Sequence, residues 1–333
     1  MKDTATYSFN PELSFVKDGY RGNRKIDGHF VNGDTDEKMP VSNALKWTFS
    51  RNPQRKEKRN ENFKLSYSHI EQFLADGDYI VWLGHASFFI QIAGKRIVTD
   101  PCFFNLMPFT KRKTALPCSP DSLNQIDYLL ISHDHRDHFD KKSVEILVLN
   151  NPDMEALIPL EGSRLFDGKK LQSVKRQEAG WYQQYSVTDS LRIVFLPAKH
   201  WGRRGLNDFN RTLWGSFLII AKNKKIFFAG DTAYDGQMFK DIGDLFGDVD
   251  ICMLPVGAYM PQYFMKWAHT NPEEAVQAFL DLNGKCFIPM HYGTYDLSDE
   301  PLGEPLRRLE TYFSGDLKNN LKSLLPGELF YIR

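Results

Sequence analysis

A chain of 333 residues that is 42% hydrophobic and 25% charged can bury a sizeable core and has the composition of neither a fibrous nor a disordered protein. Lys plus Arg and Asp plus Glu both number 42, so the zero net charge supplies no global attraction to nucleic acid. The four cysteines, Cys102, Cys118, Cys252 and Cys286, form no C-x-x-C pair, which argues against a disulfide framework or a cysteine zinc site and fits reduced thiols in a cytoplasm-like compartment.

Residues 1–42 are polar and carry Gly19, Gly22, Gly28 and Gly33, which predicts an extended or partly disordered arm wrapping the domain. Residues 43–333 are expected to form one domain. The first six residues lack the apolar core of a signal peptide, and no run approaches the ~18–20 apolar residues of a membrane span. A soluble or membrane-peripheral, cytoplasmic protein is expected. Ala44–Phe49 is a short amphipathic segment, followed by Arg51, Arg55, Lys56, Lys58 and Arg59 with Glu57 opposing them. Such a run is either a solvated face or a contact for a membrane surface or polyanion.

Strand patterns begin at Tyr79–Leu83, Phe88–Ile92 and Arg96–Thr99, the last two joined by a short Gly-containing turn that suits a hairpin. Tyr128–Ile131 is a short apolar run read as a buried strand. Lys141–Asn150 is predicted as a helix, and Ala156–Pro159, Leu191–Phe195, Ser216–Ile220, Lys225–Ala229 and Asp250–Pro255 as strands. Asn271 as cap and Pro272 in the first turn open a helix through Leu282, and Cys286–Met290 is the last central strand. An early meander followed by strands alternating with helices, twice over, implies an α/β fold of two face-to-face sheets with helices outside.

The chemistry concentrates directly after Ile131, in Ser132-His133-Asp134-His135-Arg136-Asp137-His138. A strand end delivers His133 and His135, at i and i+2, to one side of an extended segment. Imidazoles and carboxylates suit zinc, with iron or manganese as alternatives. This H-x-H-x-D-H stretch, with Lys199-His200, Gly230-Asp231-Thr232 and Met290-His291-Tyr292-Gly293 in that order, resembles the metallo-β-lactamase superfamily of binuclear metallohydrolases. Gly84-His85-Ala86-Ser87, Thr99-Asp100-Pro101, Leu213-Trp214-Gly215-Ser216 and His269-Thr270-Asn271-Pro272-Glu273-Glu274 narrow it to the branch that contains N-acylphosphatidylethanolamine-hydrolysing phospholipases D.

That resemblance implies an αββα four-layer sandwich and two divalent metal ions. It places His133, His135 and His200 on one ion, Asp137, His138 and His291 on the other, and Asp231 between them. Asp137, Asp231 and His269 are the implied catalytic groups, His269 as a proton donor or phosphate contact. Asp100 and His85 are candidates for supporting the ligands, His85 equally for a turn role. Arg203 and Arg204 beside His200 are either phosphate contacts or a surface salt-bridge pair. Tyr259, in the aromatic loop 259–265, lines an acyl-chain groove or packs on the core. Arg136 departs from the family, which often has an aromatic there. The implied activity is hydrolysis of N-acylphosphatidylethanolamine-like lipids to phosphatidate and N-acylethanolamine, with a lipid substrate and peripheral membrane contact as partners. The alternative is a lactonase or phosphodiesterase acting on a small soluble phosphorylated substrate. A nucleic-acid enzyme fits poorly with the zero net charge, and a non-catalytic scaffold fits poorly with a complete ligand set.

Overall fold

The computed structural model describes residues 5–33, 41–74, 76–107 and 110–333, and the remainder of the predicted arm, 1–4 and 34–40, lies outside them. Burial on both faces of the strands dictates the layers. In β4 (Tyr79–Gly84), Ile80 and Trp82 enter one apolar cluster, whereas Tyr79, Val81 and Leu83 enter another. This is the period-2 alternation of a strand covered on both sides. β5 (Ser87–Ile92) repeats it, with Phe88 and Ile90 on one face and Phe89 on the other.

The arm contributes β1 (Ala5–Ser8), β2 (Asn23–Ile26) and β3 (His29–Phe30), an antiparallel three-stranded sheet. Leu13 and Phe30 from this segment are buried in the central cluster, so the described part of the arm is ordered against the domain. Two apolar anchors outweigh a polar, glycine-bearing background, which is why composition alone suggested an extended strap.

β4 and β5 continue through β6 (Lys95–Thr99), β7 (Tyr128–Leu130), β8 (Glu155–Pro159) and β9 (Lys175–Ala179). With β16 (Leu329–Tyr331) at its edge the sheet has seven strands, in the order β16-β4-β5-β6-β7-β8-β9. A second sheet runs in chain order through β10 (Gln183–Gln184), β11 (Leu191–Leu196), β12 (Ser216–Ala221), β13 (Lys224–Phe228), β14 (Val249–Pro255) and β15 (Gly284–Met290). Neighbours are parallel from β6 to β9 and from β13 to β15, and antiparallel elsewhere.

The sheets meet face to face: Phe88 of one lies 6.3 Å, ring to ring, from Phe228 of the other. Helix α3 (Lys141–Asn150) covers the outer face of the seven-stranded sheet through Val144 and Leu147. The six-stranded sheet is covered by α4 (Gly236–Phe246), where Phe239 meets Phe227 at 6.4 Å, and α6 (Pro272–Asp281), where Phe279 meets Phe287 at 5.5 Å. The result is the expected helix–sheet–sheet–helix sandwich. The remaining helices are α1 (Val41–Phe49), α2 (Arg55–Asn60), α5 (Gln262–Met265) and α7 (Glu304–Tyr312). The basic run forms α2, which buries none of its residues. No helix among the described residues is long and apolar enough to cross a membrane.

Candidate metal centre

Every group of the predicted ligand set sits just beyond the C-terminal end of a strand. β7 leads to His133–His138, β11 to His200, β13 to Asp231 and β15 to His291. Both sheets therefore present carboxyl ends at one edge of the sandwich, where open α/β sheets characteristically bind ligands. Gly230 precedes Asp231 in the left-handed region at φ 59°, and a Cβ there would lie 2.6 Å from the Cβ of Ser132. Only glycine lets the two strand ends approach this closely.

Two clusters of donors result. His133 Nε2 lies 2.9 Å from His135 Nδ1, and His200 Nε2 lies 3.2 Å from the same atom. In the second, Asp137 Oδ2 is 3.6 Å from His291 Nε2 and 3.7 Å from His138 Nε2. Asp231 joins them. Its Oδ1 is 3.2 Å from His291 Nε2, while its Oδ2 is 3.2 Å from His138 Nε2 and 3.9 Å from His200 Nε2. The donor atoms in each cluster converge closely enough to share an ion.

Unmet donors and acceptors at this edge show why ions fit here. His138 Nε2, His291 Nε2 and Asp231 Oδ1 are buried and lack a hydrogen-bond partner, an expensive arrangement unless a cation satisfies them. Burial opposes charge at Asp231 and Asp137, yet His138 next to both holds each carboxyl well below the usual range, aided by His291. Burial likewise works against a proton on His291, but Asp231 raises its pKa to about 9. At His135 burial outweighs the opposing pull of Asp137 and Asp231 and pushes the pKa down to about 4. Ligation needs an ionised carboxylate and a neutral imidazole, so a cation here would take the place of the proton that Asp231 favours on His291.

Supporting contacts fix the ligand rings. Asp100 is fully buried and accepts Nδ1–H of His138 at 2.7 Å, Ser132 N–H at 2.7 Å and the Ser132 hydroxyl at 2.5 Å. This leaves His138 Nε2 facing the cluster, the arrangement that orients metal-ligating histidines. His200 Nδ1–H donates to the carbonyl of Ala268 at 2.8 Å. His85 turns the chain between β4 and β5 at φ 57°, and its Nε2 reaches Asp137 Oδ2 at 3.0 Å. Asp100 and His291 also adopt positive φ, 34° and 63°, so backbone strain clusters at this edge.

Several contributors were invisible in sequence. Asn32 of the arm donates to the His200 carbonyl at 2.9 Å. Arg112 donates to the carbonyls of Leu83, Cys102 and Thr114, tying together chain segments beneath the His85 turn. Glu300, buried, accepts the backbone N–H groups of Ala258, Tyr259 and Met260 at 2.7–3.2 Å and thereby shapes the loop leading to His269. No motif marks these residues, because their partners are main-chain atoms brought together by the fold.

His269 lies beside the centre, its ring 5.3 Å from that of His200 and Nδ1 3.8 Å from Asp231 Oδ2. Its position is fixed by the next residues: Thr270 donates to Pro255 O at 2.7 Å, and Asn271 forms a capping box with Glu274.

The arginines are placed differently from a phosphate clamp. Arg204 donates to the carbonyls of Asp134 and Phe139 at 3.2 and 2.9 Å, and Arg203 to those of Gly205 and Leu206 at 3.0 and 3.4 Å. Main chain takes up Nη1 of Arg204 and Nε and Nη2 of Arg203, and among the described residues neither arginine makes the alternative surface salt bridge. Arg204→Ala is expected to cost ~1.5–3 kcal/mol of stability, as for hydrogen bonds from a charged donor. Turnover of phosphodiester and neutral-ester substrates should fall alike; denaturant melts and paired kinetics check this, and a loss confined to the phosphodiester would indicate phosphate contact. Tyr259 is buried and donates to Glu304 at 2.6 Å, so it packs inside. Phe264 of the same loop packs against Trp47 of α1 at 5.0 Å. Arg136 is exposed and donates to Arg204 O at 3.3 Å.

A four-layer sandwich with a His/Asp cluster able to bind metal ions at its strand ends defines a metal-dependent hydrolase. The chain belongs to the metallo-β-lactamase superfamily, its residues 95–292 matching the family described as Beta-lactamase superfamily domain. It is 33% identical over 258 residues to N-acyl-phosphatidylethanolamine-hydrolyzing phospholipase D 1 of Caenorhabditis elegans, covering 74% of this chain and 72% of that protein. A UPF0173 metal-dependent hydrolase of Hyperthermus butylicus is 29% identical over 260 residues, covering 76% of this chain and 98% of that one. Among solved structures, a metallo hydrolase from the archaeon Ignicoccus hospitalis shares the fold with a TM-score of 0.59 at 20% identity, over 77% of this chain and 98% of that one.

Proposed function

We propose that the chain is a binuclear metal-dependent phosphodiesterase of phospholipase D type, hydrolysing N-acylphosphatidylethanolamine-like lipids to phosphatidate and N-acylethanolamine. The observation that carries the reading is Asp231, which lies between the two donor clusters, 3.2 Å from His138 and His291 of one and 3.9 Å from His200 of the other. His133, His135 and His200 would hold one ion, Asp137, His138 and His291 the other, with zinc the first candidate and iron or manganese the alternatives. Two divalent ions held there would supply an activated water at neutral pH and positive charge against the phosphoryl oxygens. The similarity to the nematode phospholipase D supports the substrate class.

The protein's own groups do the positioning. Asp100 and the Ala268 carbonyl hold the His138 and His200 rings in one tautomer. Burial pushes His269 down to about 4, so at pH 7 it is neutral and offers a hydrogen bond to a phosphoryl or leaving oxygen. Its part is that of a phosphate contact more than of a charged proton donor. His269→Ala should lower kcat by about 10²–10³, the usual effect of removing one donor to a developing oxyanion. Bound metal, measured alongside, should be unchanged; unaltered kcat would remove His269 from the reaction.

A second reading, a hydrolase of small soluble substrates, is favoured by the nearly full-length match to the UPF0173 hydrolase. Assaying the metal-loaded chain on N-acylphosphatidylethanolamine in mixed micelles, soluble phosphodiesters and lactones decides between them. Preferential cleavage of the lipid is expected; efficient cleavage of soluble substrates with no activity on lipid would establish the second reading.

A further inference from the structure

The loop after His200 is built rigidly and then left apolar at its tip. Trp201 packs edge-on against the His135 ring at 4.4 Å and stacks on Phe209 at 5.8 Å. Asp208 accepts the N–H groups of Arg204 and Gly205, and Gly202 and Asn210 exchange hydrogen bonds across the neck of the loop. With its base tied down, the loop turns Leu206 outward, 86% exposed, and Phe209, 45% exposed. Phe209 spends only one face on Trp201, and Leu206 leaves most of its apolar surface to solvent.

A second part of the same rim repeats the pattern. His269 donates its backbone N–H to Met265 at the end of α5, and α1 lies against α5 through Trp47 and Phe264. On its other side α1 exposes Leu45 by 56% and Phe49 by 83%. Cations flank both tips. Arg203 stands exposed in the loop, and Arg51, Arg55, Lys56 and Arg59 are exposed along the segment after α1, with Glu57 the single acid between residues 41 and 60.

We propose that these two tips form a docking face for an anionic phospholipid surface, with Leu206, Phe209, Leu45 and Phe49 entering the acyl boundary around the mouth of the metal centre. The charge pattern selects this occupant: an apolar tip bordered by cations matches a bilayer interface, where apolar burial and attraction to anionic headgroups act together. The inference deepens the lipid-substrate reading and rests on it for its purpose, although the docking face is measurable without turnover.

The test is co-sedimentation of the full, metal-loaded chain with phosphatidylcholine vesicles, with and without phosphatidylglycerol. Binding should be stronger with phosphatidylglycerol and weaken, without vanishing, as salt rises. Leu206→Asp combined with Phe209→Ser should lower partitioning at least about tenfold, the order expected for one lost leucine-sized burial. Leu45→Ser with Phe49→Asp should do the same, and an unchanged circular dichroism spectrum and metal content show that each variant is folded. Equal vesicle binding by both variants and the parent chain overturns the proposal, as does a parent chain that binds no vesicles, which would leave a protein partner as the occupant. Turnover of a short-chain, soluble N-acylphosphatidylethanolamine analogue separates the two readings. Turnover without vesicle binding retains the activity and rejects the docking face; variant-sensitive vesicle binding without such turnover does the reverse.

Discussion

Replacement of Asp231 by alanine is expected to lower bound metal from two ions per chain to one or none, and turnover by about 10³-fold or more. The size of the effect follows from geometry: Oδ1 faces His291 and Oδ2 faces His138 and His200, so one side chain serves both clusters. The same substitution removes the carboxylate that offsets charge on His138 and His291. Their pKa values should fall, leaving two neutral imidazoles and an intact sandwich. Elemental analysis, kinetics and far-UV circular dichroism on one preparation check the expectation. Two ions retained with normal turnover would refute the bridging role.

Asp100→Asn is expected to weaken metal binding about 10–100-fold without touching a ligand, as for other residues that orient metal-bound histidines. The amide nearly conserves volume, but its NH₂ end meets a donor wherever it is placed, either Ser132 N–H at the Oδ1 position or His138 Nδ1–H at the Oδ2 position. At a fully buried site one unsatisfied donor costs ~1–3 kcal/mol. The variant should therefore show both weaker zinc binding in competition with a chromogenic chelator and a lower denaturation midpoint. A large stability loss with unaltered metal affinity would make Asp100 purely structural.

Much of the edge that carries these residues was legible in the sequence, for a physical reason. Buried stretches such as Tyr128–Leu130 and the last four residues of β15, Phe287 to Met290, are short apolar runs, and polar ligands at their ends stand out against them. Asn271, Pro272 and Glu274 likewise announce the start of α6, since caps act through neighbours in the chain. Side chains whose partners are distant backbone atoms are not legible this way. Arg204 next to a metal ligand looks the same in sequence whether its guanidinium meets phosphate or the carbonyls of Asp134 and Phe139. The polar β9, Lys-Arg-Gln-Glu-Ala, and the arm strands lack a strong alternation of their own and take their place from the sheets they join.

The order of the donors along the chain bears on how the protein is made. Four of them, His133, His135, Asp137 and His138, fall within one six-residue stretch and leave the ribosome together, long before the strand that carries His291. A nascent chain thus offers a partial chelate early, while Asp231 and then His291 arrive only as the second sheet assembles. Ions present during synthesis would meet an incomplete site first, and supply would weigh heavily in which cation is bound, since the donor set alone discriminates weakly. Elemental analysis of protein expressed in media of defined metal content is therefore expected to follow the metal supplied.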